Sequence, residues 1–304
     1  MNIRLILLPF LCGISSVYAD AWDDISQAAQ VAYTANLNGE YVRQSKQGTD
    51  SFDIYRLRSD NDFTERRVAK QGRAFEIIRN REKIVYYAAN ADDLKYANTD
   101  ESNRFPAVLP YHAYRLRESY TASYQGEGRV AGRDCHIVRL TPLDDNRYTQ
   151  EFCLDNTDNL PLSRVYFWNN TALRADLFAT LDRESLPQAE ELTSSRGLNY
   201  TFTRQRDEDF SRLGENDLFI QNLPAGFRVA GYEQNTQGGF YLITDGLVHI
   251  TLFVESANKP QNYPNKNGII SVAVVNGKKY RYTAIGDLPP DGLTRWLQSV
   301  EFAE

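Results

Sequence analysis

The chain has 304 residues, 24% of them charged, and a formal net charge of −6 at pH 7. An acidic chain without a concentrated patch of lysine and arginine argues against binding to nucleic acid and against electrostatic docking on anionic lipid. Tyrosine and phenylalanine are plentiful, with 19 and 15 copies. Many segments alternate between apolar and polar residues, which favours β-sheet.

The amino terminus predicts a secretory signal peptide over residues 1–19. Arg4 supplies a positive charge, an apolar run extends from Leu5 to Ile14, and residues 17–19 (VYA) match the small-residue end of such signals. A membrane anchor is less favoured, because the run is well under the roughly 18 to 20 apolar residues that cross a bilayer. We therefore expect export and cleavage after Ala19.

Residues 20–184 predict a first domain that is mainly β. Trp22 to Ala35 has apolar residues at helical spacing and predicts a helix, and Tyr111 to Tyr120 predicts a shorter one. Strand patterns recur between short turns, which favours an antiparallel meander. The predicted strands are Gly39 to Arg43, Ser51 to Arg58, Phe63 to Lys70, Ala74 to Asn80, Lys83 to Ala88, a hairpin containing the two cysteines, Leu162 to Asn169, and Leu173 to Ala179.

Removal of the signal peptide leaves one pair of cysteines, Cys135 and Cys153. In an oxidising compartment an even pair predicts a disulfide, and the absence of a C-x-x-C spacing disfavours a redox-active pair. If a hairpin turns at Asp144, the cysteines lie directly opposite each other. They would then lie on the outer side of the sheet, away from the face that carries Val138 and Phe152. Such a disulfide would stabilise the fold by roughly 3 kcal/mol.

Residues 185–212 predict a linker, and residues 213–304 a second, smaller domain. Glu184 to Asn199 is polar and contains Pro, Gly and Ser without a sustained period. Strand patterns resume after Leu223, with a hairpin turn predicted at Asn276-Gly277. A final apolar stripe at helical spacing is formed by Leu293, Trp296, Leu297 and Val300. We expect a small antiparallel sheet covered by one terminal helix.

The sequence offers no set of residues for catalysis or metal binding. His112, His136 and His249 are isolated, and none lies in an H-x-x-H or H-E-x-x-H spacing. Nucleophile, phosphate-binding and dinucleotide-binding motifs are absent from the sequence. We therefore expect a binding protein that is not an enzyme and that uses no cofactor or metal.

Aromatic residues of the first domain are candidates for the lining of an apolar, lipid-binding cavity. A curved antiparallel sheet closed by the first helix could enclose such a cavity, and the same rings could instead fill an ordinary core. The candidates are Tyr41, Phe52, Phe75, Tyr86, Phe152 and Phe167.

Several stretches in order along the chain carry a resemblance to a known family. In the first domain they are FPAVLP (105–110), RVAGRDC (129–135), LTPLDDNRY (140–148) and LDNTDNLPLSRV (154–165). In the second they are LPAGFRV (223–229), TDGLVHITLFVE (244–255) and GDLPPDGLTRWLQSV (286–300). Together they resemble the RseB/MucB family of periplasmic negative regulators of the sigma-E envelope-stress pathway. The chain departs from the family pattern at Asn159, where a glycine is expected, and at Phe152-Cys153, where an apolar pair is usual.

The resemblance implies an α+β fold that is mainly β. Its first domain would be a half-open antiparallel β-barrel similar to the lipoprotein carriers LolA and LolB, with covering helices. The second domain would bind the periplasmic segment of a single-span anti-sigma factor of the RseA/MucA type. The resemblance further implies a periplasmic protein that shields this segment from the site-one protease. Release would follow when an acylated lipoprotein or a lipopolysaccharide fragment is sensed.

Two other functions stay open. A periplasmic lipoprotein or lipid carrier of the LolA/LolB type would need only the first domain, so Leu223 to Glu304 weigh against it. A periplasmic enzyme is disfavoured by the lack of a nucleophile, a base and an orienting group. Partner contacts are expected on the helix face opposite Trp296 and on Phe240 to Glu255. An exposed edge strand could pair with an extended peptide or with a second copy, so a homodimer or higher oligomer is left open.

Overall fold

The computed structural model describes residues 20–59, 62–80, 83–94, 104–203, 220–235, 238–257 and 268–302. The predicted signal peptide lies outside these residues. Within them, the chain forms an 11-stranded sheet, a five-stranded sheet and a two-stranded sheet, which confirms the expected mainly β fold. No helix in these ranges is long and apolar enough to cross a membrane.

The first domain consists of one long helix and two runs of strands. Helix α1 spans Ala21–Thr34. The first run is β1 (Leu37–Ser45), β2 (Gly48–Arg58), β3 (Phe63–Ala69), β4 (Phe75–Arg79) and β5 (Lys83–Ala88), followed by the one-turn helix α2 (Ala91–Leu94). The second run is β6 (Tyr120–Val130), β7 (Arg133–Pro142), β8 (Thr149–Asp155), β9 (Pro161–Trp168) and β10 (Thr171–Asp182). Two 3₁₀ helices span Ala113–Glu118 and Ala189–Leu192, and strand β11 spans Leu198–Thr203.

The two runs of strands join along β1 and β10 into one antiparallel sheet. Its order is β11-β5-β4-β3-β2-β1-β10-β9-β8-β7-β6. The two edge strands, β11 and β6, do not pair with each other. The sheet is therefore a half-open barrel, and its concave face carries the core of the first domain.

Helix α1 covers this concave face. Its amino terminus is capped by Asp20, whose carboxylate accepts the Trp22 backbone N–H at 3.2 Å, and Asp23 and Asp24 favour the positive end of the helix dipole. The apolar face predicted from the sequence is buried against the sheet and consists of Ala21, Trp22, Ile25, Ala28, Ala29 and Ala32. The helix predicted for Trp22 to Ala35 is confirmed.

The β7–β8 hairpin has a different register from the one predicted. Cys135 lies opposite Asp155, and Cys153 lies opposite Ile137. The cysteines are therefore diagonal neighbours, two residues out of the predicted register. The reason is a longer loop, because Tyr148 lies outside the strands and packs with Tyr166 in a separate apolar cluster. A shift of two residues keeps every side chain on its predicted face.

Cys135 and Cys153 form the predicted disulfide, with 5.5 Å between their Cα atoms. Both cysteines are buried, with 0% and 6% of their surfaces exposed. The adjacent strand makes this burial possible, because Gly128 lies opposite Cys135. A Cβ at Gly128 would lie 3.3 Å from both sulfur atoms, so the disulfide packs where a larger residue would have a side chain.

Part of the segment predicted as a linker belongs to the large sheet. Strand β11 pairs with β5, with Leu198 opposite Ala88. Before it, the 3₁₀ helix Ala189–Leu192 is tied to the sheet by Arg66, whose guanidinium donates to the Glu191 carbonyl at 3.2 Å. The alternation of apolar and polar residues in LNYTFT (198–203) is the local signal for this strand.

The second domain is a five-stranded sheet with one terminal helix, as predicted. The strands of the sheet are β13 (Arg228–Asn235), β14 (Gly238–Thr244), β15 (His249–Ser256), β16 (Ser271–Asn276) and β17 (Tyr280–Gly286). Two short strands lie outside it, β12 (Ile220–Asn222) and β18 (Glu301–Phe302). The sheet order is β13-β14-β15-β17-β16, and β12 pairs separately with β18. Helix α3 (Pro290–Ser299) buries Leu293, Trp296 and Leu297 against the sheet, and the Trp296 ring makes an edge contact with Phe227 at 5.6 Å.

The β16–β17 hairpin is present, but its turn lies beyond the predicted Asn276-Gly277 pair. Asn276 still pairs with Arg281, and the Gly277 N–H donates to the Tyr280 carbonyl at 2.8 Å. The chain therefore reverses at residues 278–279. A type I′ turn needs a positive φ at both central residues, and neither Asn276 nor Gly277 has one.

Candidate functional site

Four of the predicted cavity residues form a row of aromatic rings on the concave face of the large sheet. We call Tyr41, Phe52, Phe75 and Tyr86 the aromatic row. The Tyr41 and Phe52 rings stack with centroids 4.9 Å apart, Phe52 and Phe75 are 6.2 Å apart, and Phe75 and Tyr86 stack at 5.0 Å. All four residues are buried. The rings come from β1, β2, β4 and β5, so one continuous apolar surface crosses five neighbouring strands.

The row is closed at one end by Phe105, a residue that the sequence did not single out for the cavity. Its ring lies 5.5 Å from Tyr41 and 5.1 Å from Phe178 of β10. Phe105 comes from the loop before the 3₁₀ helix Ala113–Glu118 rather than from a strand, and it is completely buried. The only local signal for it was its place in the FPAVLP stretch.

The two remaining predicted cavity residues lie on opposite faces of the sheet. Phe152 is buried in the same core, with the Arg164 guanidinium 5.9 Å from its ring centre. Phe167 is half-buried on the convex face, with Arg139 5.7 Å from its ring centre. The cause is strand alternation, because Tyr166 points to the concave side. Five of the six candidates are thus brought together, and Phe167 is not.

A buried ion cluster ties the concave face to the end of helix α1. The Glu65 carboxylate lies 2.7 Å from the Arg67 guanidinium and 3.3 Å from that of Arg79, and it accepts a hydrogen bond from the Arg56 Nε at 2.8 Å. Arg56 also donates to the Ala32 carbonyl near the end of α1. Burial acts to raise the pKa of Glu65. The attraction of the three guanidinium groups outweighs burial and holds that pKa well below its usual range. Glu65 is therefore ionised at neutral pH.

A second buried ion pair lies at the other end of the concave face, near the second domain. Asp176 of β10 lies 3.1 Å from Arg43 and 2.8 Å from Arg174. Burial opposes its ionisation, but the two arginines lower the pKa of Asp176. Beside this pair, Arg164 donates to the Gln150 amide oxygen at 2.8 Å. The aromatic row is thus bounded by charged groups on both sides.

The two domains meet at a buried polar contact centred on Arg147 and Asp245. The Arg147 Nε lies 2.7 Å from the Asp245 carboxylate, which also accepts the Tyr120 hydroxyl at 3.0 Å. A second Arg147 nitrogen donates to the Ala225 carbonyl at 2.8 Å, and its guanidinium lies 4.3 Å from the Phe227 ring centre. We call these five residues the domain interface node. Burial, and then the charge of Asp245, raise the pKa of Tyr120 well above its usual value.

The loop that carries Asp245 enters the core of the first domain. Leu247 in this loop is 1% exposed and belongs to the same apolar cluster as the aromatic row. The Asp245 carboxylate fixes the loop by accepting the backbone N–H groups of Leu247 at 2.9 Å and Val248 at 2.8 Å. Gly246 has a φ of +107°, and a Cβ there would lie 3.0 Å from Pro110, so this tight approach requires glycine.

Helix α3 makes a further contact with the β7–β8 loop. Arg295 donates to the Asn146 side chain at 2.8 Å and to the Asp145 carbonyl at 2.6 Å. Gly292 lies so close that a Cβ there would come within 2.3 Å of the Asn146 carbonyl oxygen. Beside this contact is a groove of about 540 Å³. It is lined by Arg139, Thr141, Pro142, Asp144, Asp145, Arg147, Thr149, Phe167, Trp168, Asn169, Asn170 and Arg295.

The three histidines have different neighbours in the structure. His136 lies 3.2 Å from the Asp24 carboxylate of α1, and His249 lies 3.9 Å from Asp287. His112 contacts the rings of Tyr111 and Tyr114. Across the described ranges, no group of three or more His, Cys, Asp or Glu residues is placed to hold a metal ion.

Both domains match a known family. The MucB/RseB N-terminal domain matches residues 20–191, and the MucB/RseB C-terminal domain matches residues 214–301. The chain belongs to the MucB/RseB family. The resemblance seen in the sequence is therefore confirmed, and members of this family are regulatory proteins by name.

Two relatives in the MucB/RseB family match about half and nearly nine-tenths of this chain in sequence. The sigma-E factor regulatory protein RseB of Haemophilus influenzae is 28% identical over 290 residues, which cover 88% of this chain and 87% of that protein. The sigma factor AlgU regulatory protein MucB of Pseudomonas aeruginosa is 28% identical over 164 residues, which cover 53% of this chain and 50% of that protein. The solved complex of P. aeruginosa MucA and MucB shares the fold, with a TM-score of 0.74 at 20% identity over 94% of this chain and 100% of that chain.

The stretches that carried the family resemblance also form the domain interface. LTPLDDNRY contains Arg147, LPAGFRV contains Phe227, and TDGLVHITLFVE contains Asp245. The sequence did not single out any of these residues, because Arg147 and Asp245 are 98 positions apart. An arginine in one family stretch and an aspartate in another were the available signal.

Proposed function

We propose that this chain is a periplasmic regulator that binds the periplasmic segment of a single-span anti-sigma factor. Binding shields the segment from site-one proteolysis, and an acylated signal from a damaged envelope releases it. The observation that carries this proposal is the match of both domains, in order, to a family of sigma-factor regulators. The P. aeruginosa relative has been solved in complex with the periplasmic part of MucA, which supports the same class of partner here.

The first domain, residues 20–184 in our proposal, is the lipid sensor. Its concave face offers apolar rings from Tyr41, Phe52, Phe75, Tyr86 and Phe152, and apolar surface of this kind is what an acyl chain requires. Charged groups lie on both sides of the row, which would confine an acyl chain to the apolar strip between them. Phe167 is not part of this site, because it lies on the other face.

The second domain, residues 213–304 in our proposal, binds the anti-sigma factor. Its packing against the first domain through the domain interface node supports a single two-domain binding surface. This packing also weighs against the alternative, a lipid carrier of the LolA/LolB type, since a carrier needs only the first domain. The buried disulfide and the predicted signal peptide support the periplasm as the compartment.

The test is the rate at which the site-one protease cleaves the cognate anti-sigma segment, with and without mature protein of residues 20–304. We expect cleavage to slow in proportion to the fraction of segment bound. A protein denatured by heat and an equal amount of an unrelated periplasmic protein serve as controls. An unchanged rate at saturating protein would exclude the shielding function. If a lipidated peptide nevertheless bound, the carrier function would replace it.

A further inference from the structure

We infer that residues 104–119, the plug segment, couple the concave face to the docking of the second domain, so that an acyl chain inside the barrel displaces the docked loop. This inference rests on the proposed function and adds the path by which the signal is transmitted. The plug segment has one side inside the barrel and the other against the second domain. The same short segment therefore contacts both the aromatic row and the second domain.

The inner side of the plug segment occupies the place an acyl chain would take. The Phe105 ring fills the space beside Tyr41 and Phe178, and Leu109 and Leu116 are buried in the same core. Protein interiors are close-packed. A methylene chain lying along the aromatic row therefore has to replace the Phe105 ring, and an apolar group replacing another keeps the burial favourable.

Phe105 is the most easily displaced of the rings in this core. The other rings around it belong to strands, whereas Phe105 belongs to a loop. Three backbone bonds of the plug segment are local, from Val108 to the Pro106 carbonyl, from Arg115 to the His112 carbonyl and from Ser119 to the Leu116 carbonyl, and at its end the Ser119 carbonyl accepts the Leu143 N–H at 2.8 Å. A segment with such local bonds opens at lower free energy than the strands it covers.

The outer side of the plug segment contacts two loops of the second domain. Leu247 is buried in the core that also contains Leu109 and Leu116. A Cβ at Gly246 would lie 3.0 Å from Pro110. Immediately after the segment, Tyr120 donates to Asp245 at 3.0 Å. Movement of the segment therefore removes the packing of Leu247 directly beside the contact between Tyr120 and Asp245.

The second loop, which contains Gly226, also packs closely against the plug segment. A Cβ at Gly226 would lie 1.9 Å from the Ser119 hydroxyl oxygen, so the glycine permits direct contact between the two domains. The adjacent residues Ala225 and Phe227 both contact Arg147. The plug segment and Arg147 thus meet the same two loops, and docking is cooperative across them.

Linkage makes the coupling measurable from either side. If an acyl chain favours the displaced segment, then docking must weaken acyl binding by the same factor by which the acyl chain weakens docking, and a variant that undocks the loop must strengthen acyl binding. The probe is palmitate, titrated into the mature protein. The readout of docking is hydrogen exchange of the peptide containing the Leu247 and Val248 amides, which donate to Asp245 when the loop is docked.

Three variants isolate the path. Phe105→Ala removes the ring from the row, and Asp245→Asn weakens docking without touching the concave face. Phe167→Ala is the matched control, a phenylalanine on the convex face of the same domain. We expect palmitate to bind about tenfold more tightly to the first two variants, because the cost of displacement has been removed. We expect unchanged affinity for Phe167→Ala.

In the wild-type protein, saturating palmitate should accelerate exchange of the Leu247 and Val248 amides by about tenfold. If palmitate binds but exchange and the Asp245→Asn affinity stay unchanged, the coupling is refuted, while lipid sensing and partner shielding stand. If palmitate binds none of the proteins, both the coupling and the lipid half of the proposed function are refuted. The protease assay still tests the partner half separately. Because the exchange measurement needs no variant, misfolding of Phe105→Ala would not obscure the result.

Discussion

The interior of the first domain and the interface between the domains are both buried, but different interactions hold them. The interior consists of rings at 4.9 to 6.2 Å from one another, and such contacts are weakly directional. The interface depends on Arg147 and Asp245, whose bonds require exact placement of a planar guanidinium. The interior can exchange one apolar group for another, whereas the interface is either formed or broken. This difference suits a lipid-binding interior coupled to an interface that docks or undocks.

Removal of Arg147 should have the largest effect. The Arg147→Ala change leaves the Asp245 carboxylate buried without its cation, and breaking a buried pair in this way costs about 3–5 kcal/mol. The free energy of unfolding from urea titration checks the value. Arg129→Ala is the control, since Arg129 is exposed and pairs with the exposed Asp134, and it should change stability by less than about 0.5 kcal/mol. Equal losses in the two variants would refute the role of the node.

Removal of the Glu65 charge should be the next largest effect. Glu65→Gln leaves Arg56, Arg67 and Arg79 buried together without the carboxylate that attracts all three. We expect a loss of about 3 kcal/mol at pH 7, measured by urea titration. A loss below about 1 kcal/mol would mean that the ion cluster contributes little to the attachment of α1.

The Glu65 change should also alter the dependence of stability on pH. Because the folded-state pKa of Glu65 lies well below its usual 4.5, the unfolded chain binds this proton first as the pH falls. The contribution of Glu65 is therefore complete above pH 4.5 and is lost progressively below it. The stability difference between wild type and Glu65→Gln should shrink as the pH is lowered from 4.5. A difference that grows in acid would contradict the assigned ionisation.

A conservative change at the interface should cost more than one in the interior. Arg147→Lys keeps the positive charge but cannot reach Asp245 and the Ala225 carbonyl with a planar fork. We expect a loss of about 2 kcal/mol, from the hydrogen bonds to charged groups that are lost. Unfolding in urea would show it, and full stability of the lysine variant would mean that charge alone holds the domains together.

The smallest effect is expected for an apolar exchange in the aromatic row. Phe75→Leu keeps most of the buried volume and loses the stacking with Tyr86, so we expect a loss of about 1 kcal/mol. Thermal or urea unfolding gives the value. A loss as large as that of Arg147→Ala would show that the interior is as specific as the interface, and the comparison between the two regions would fail.

The helices and strands could be predicted wherever apolar residues recur at a regular spacing. The spacing of Trp22, Ile25 and Ala29 predicted α1, and the stripe from Leu293 to Val300 predicted α3. Register was harder, because the β7–β8 loop includes Tyr148, which a strand pattern also accommodates. The burial of Cys135 depends on Gly128 in a neighbouring strand, and one strand's pattern contains no information about that neighbour.

The candidate site was predicted only in its apolar part. Alternation placed Tyr41, Phe52 and Phe75 on one face, and the same rule applied to β9 would have excluded Phe167 once Tyr166 was known to face inward. Phe105 was missed because loops have no period. Arg147 and Asp245 were missed because each is an ordinary polar residue until folding brings them together, and a single sequence does not show long-range pairing.

The most direct measurement is the cleavage of the cognate anti-sigma segment by the site-one protease in the presence of mature protein, before and after loading with a lipidated peptide. The account predicts slow cleavage with unloaded protein and restored cleavage with loaded protein. In the Arg147→Ala variant, less lipid should be needed, because docking is already weakened. Slow cleavage that persists at saturating lipid would contradict the account, since the barrel would then bind lipid without releasing the partner.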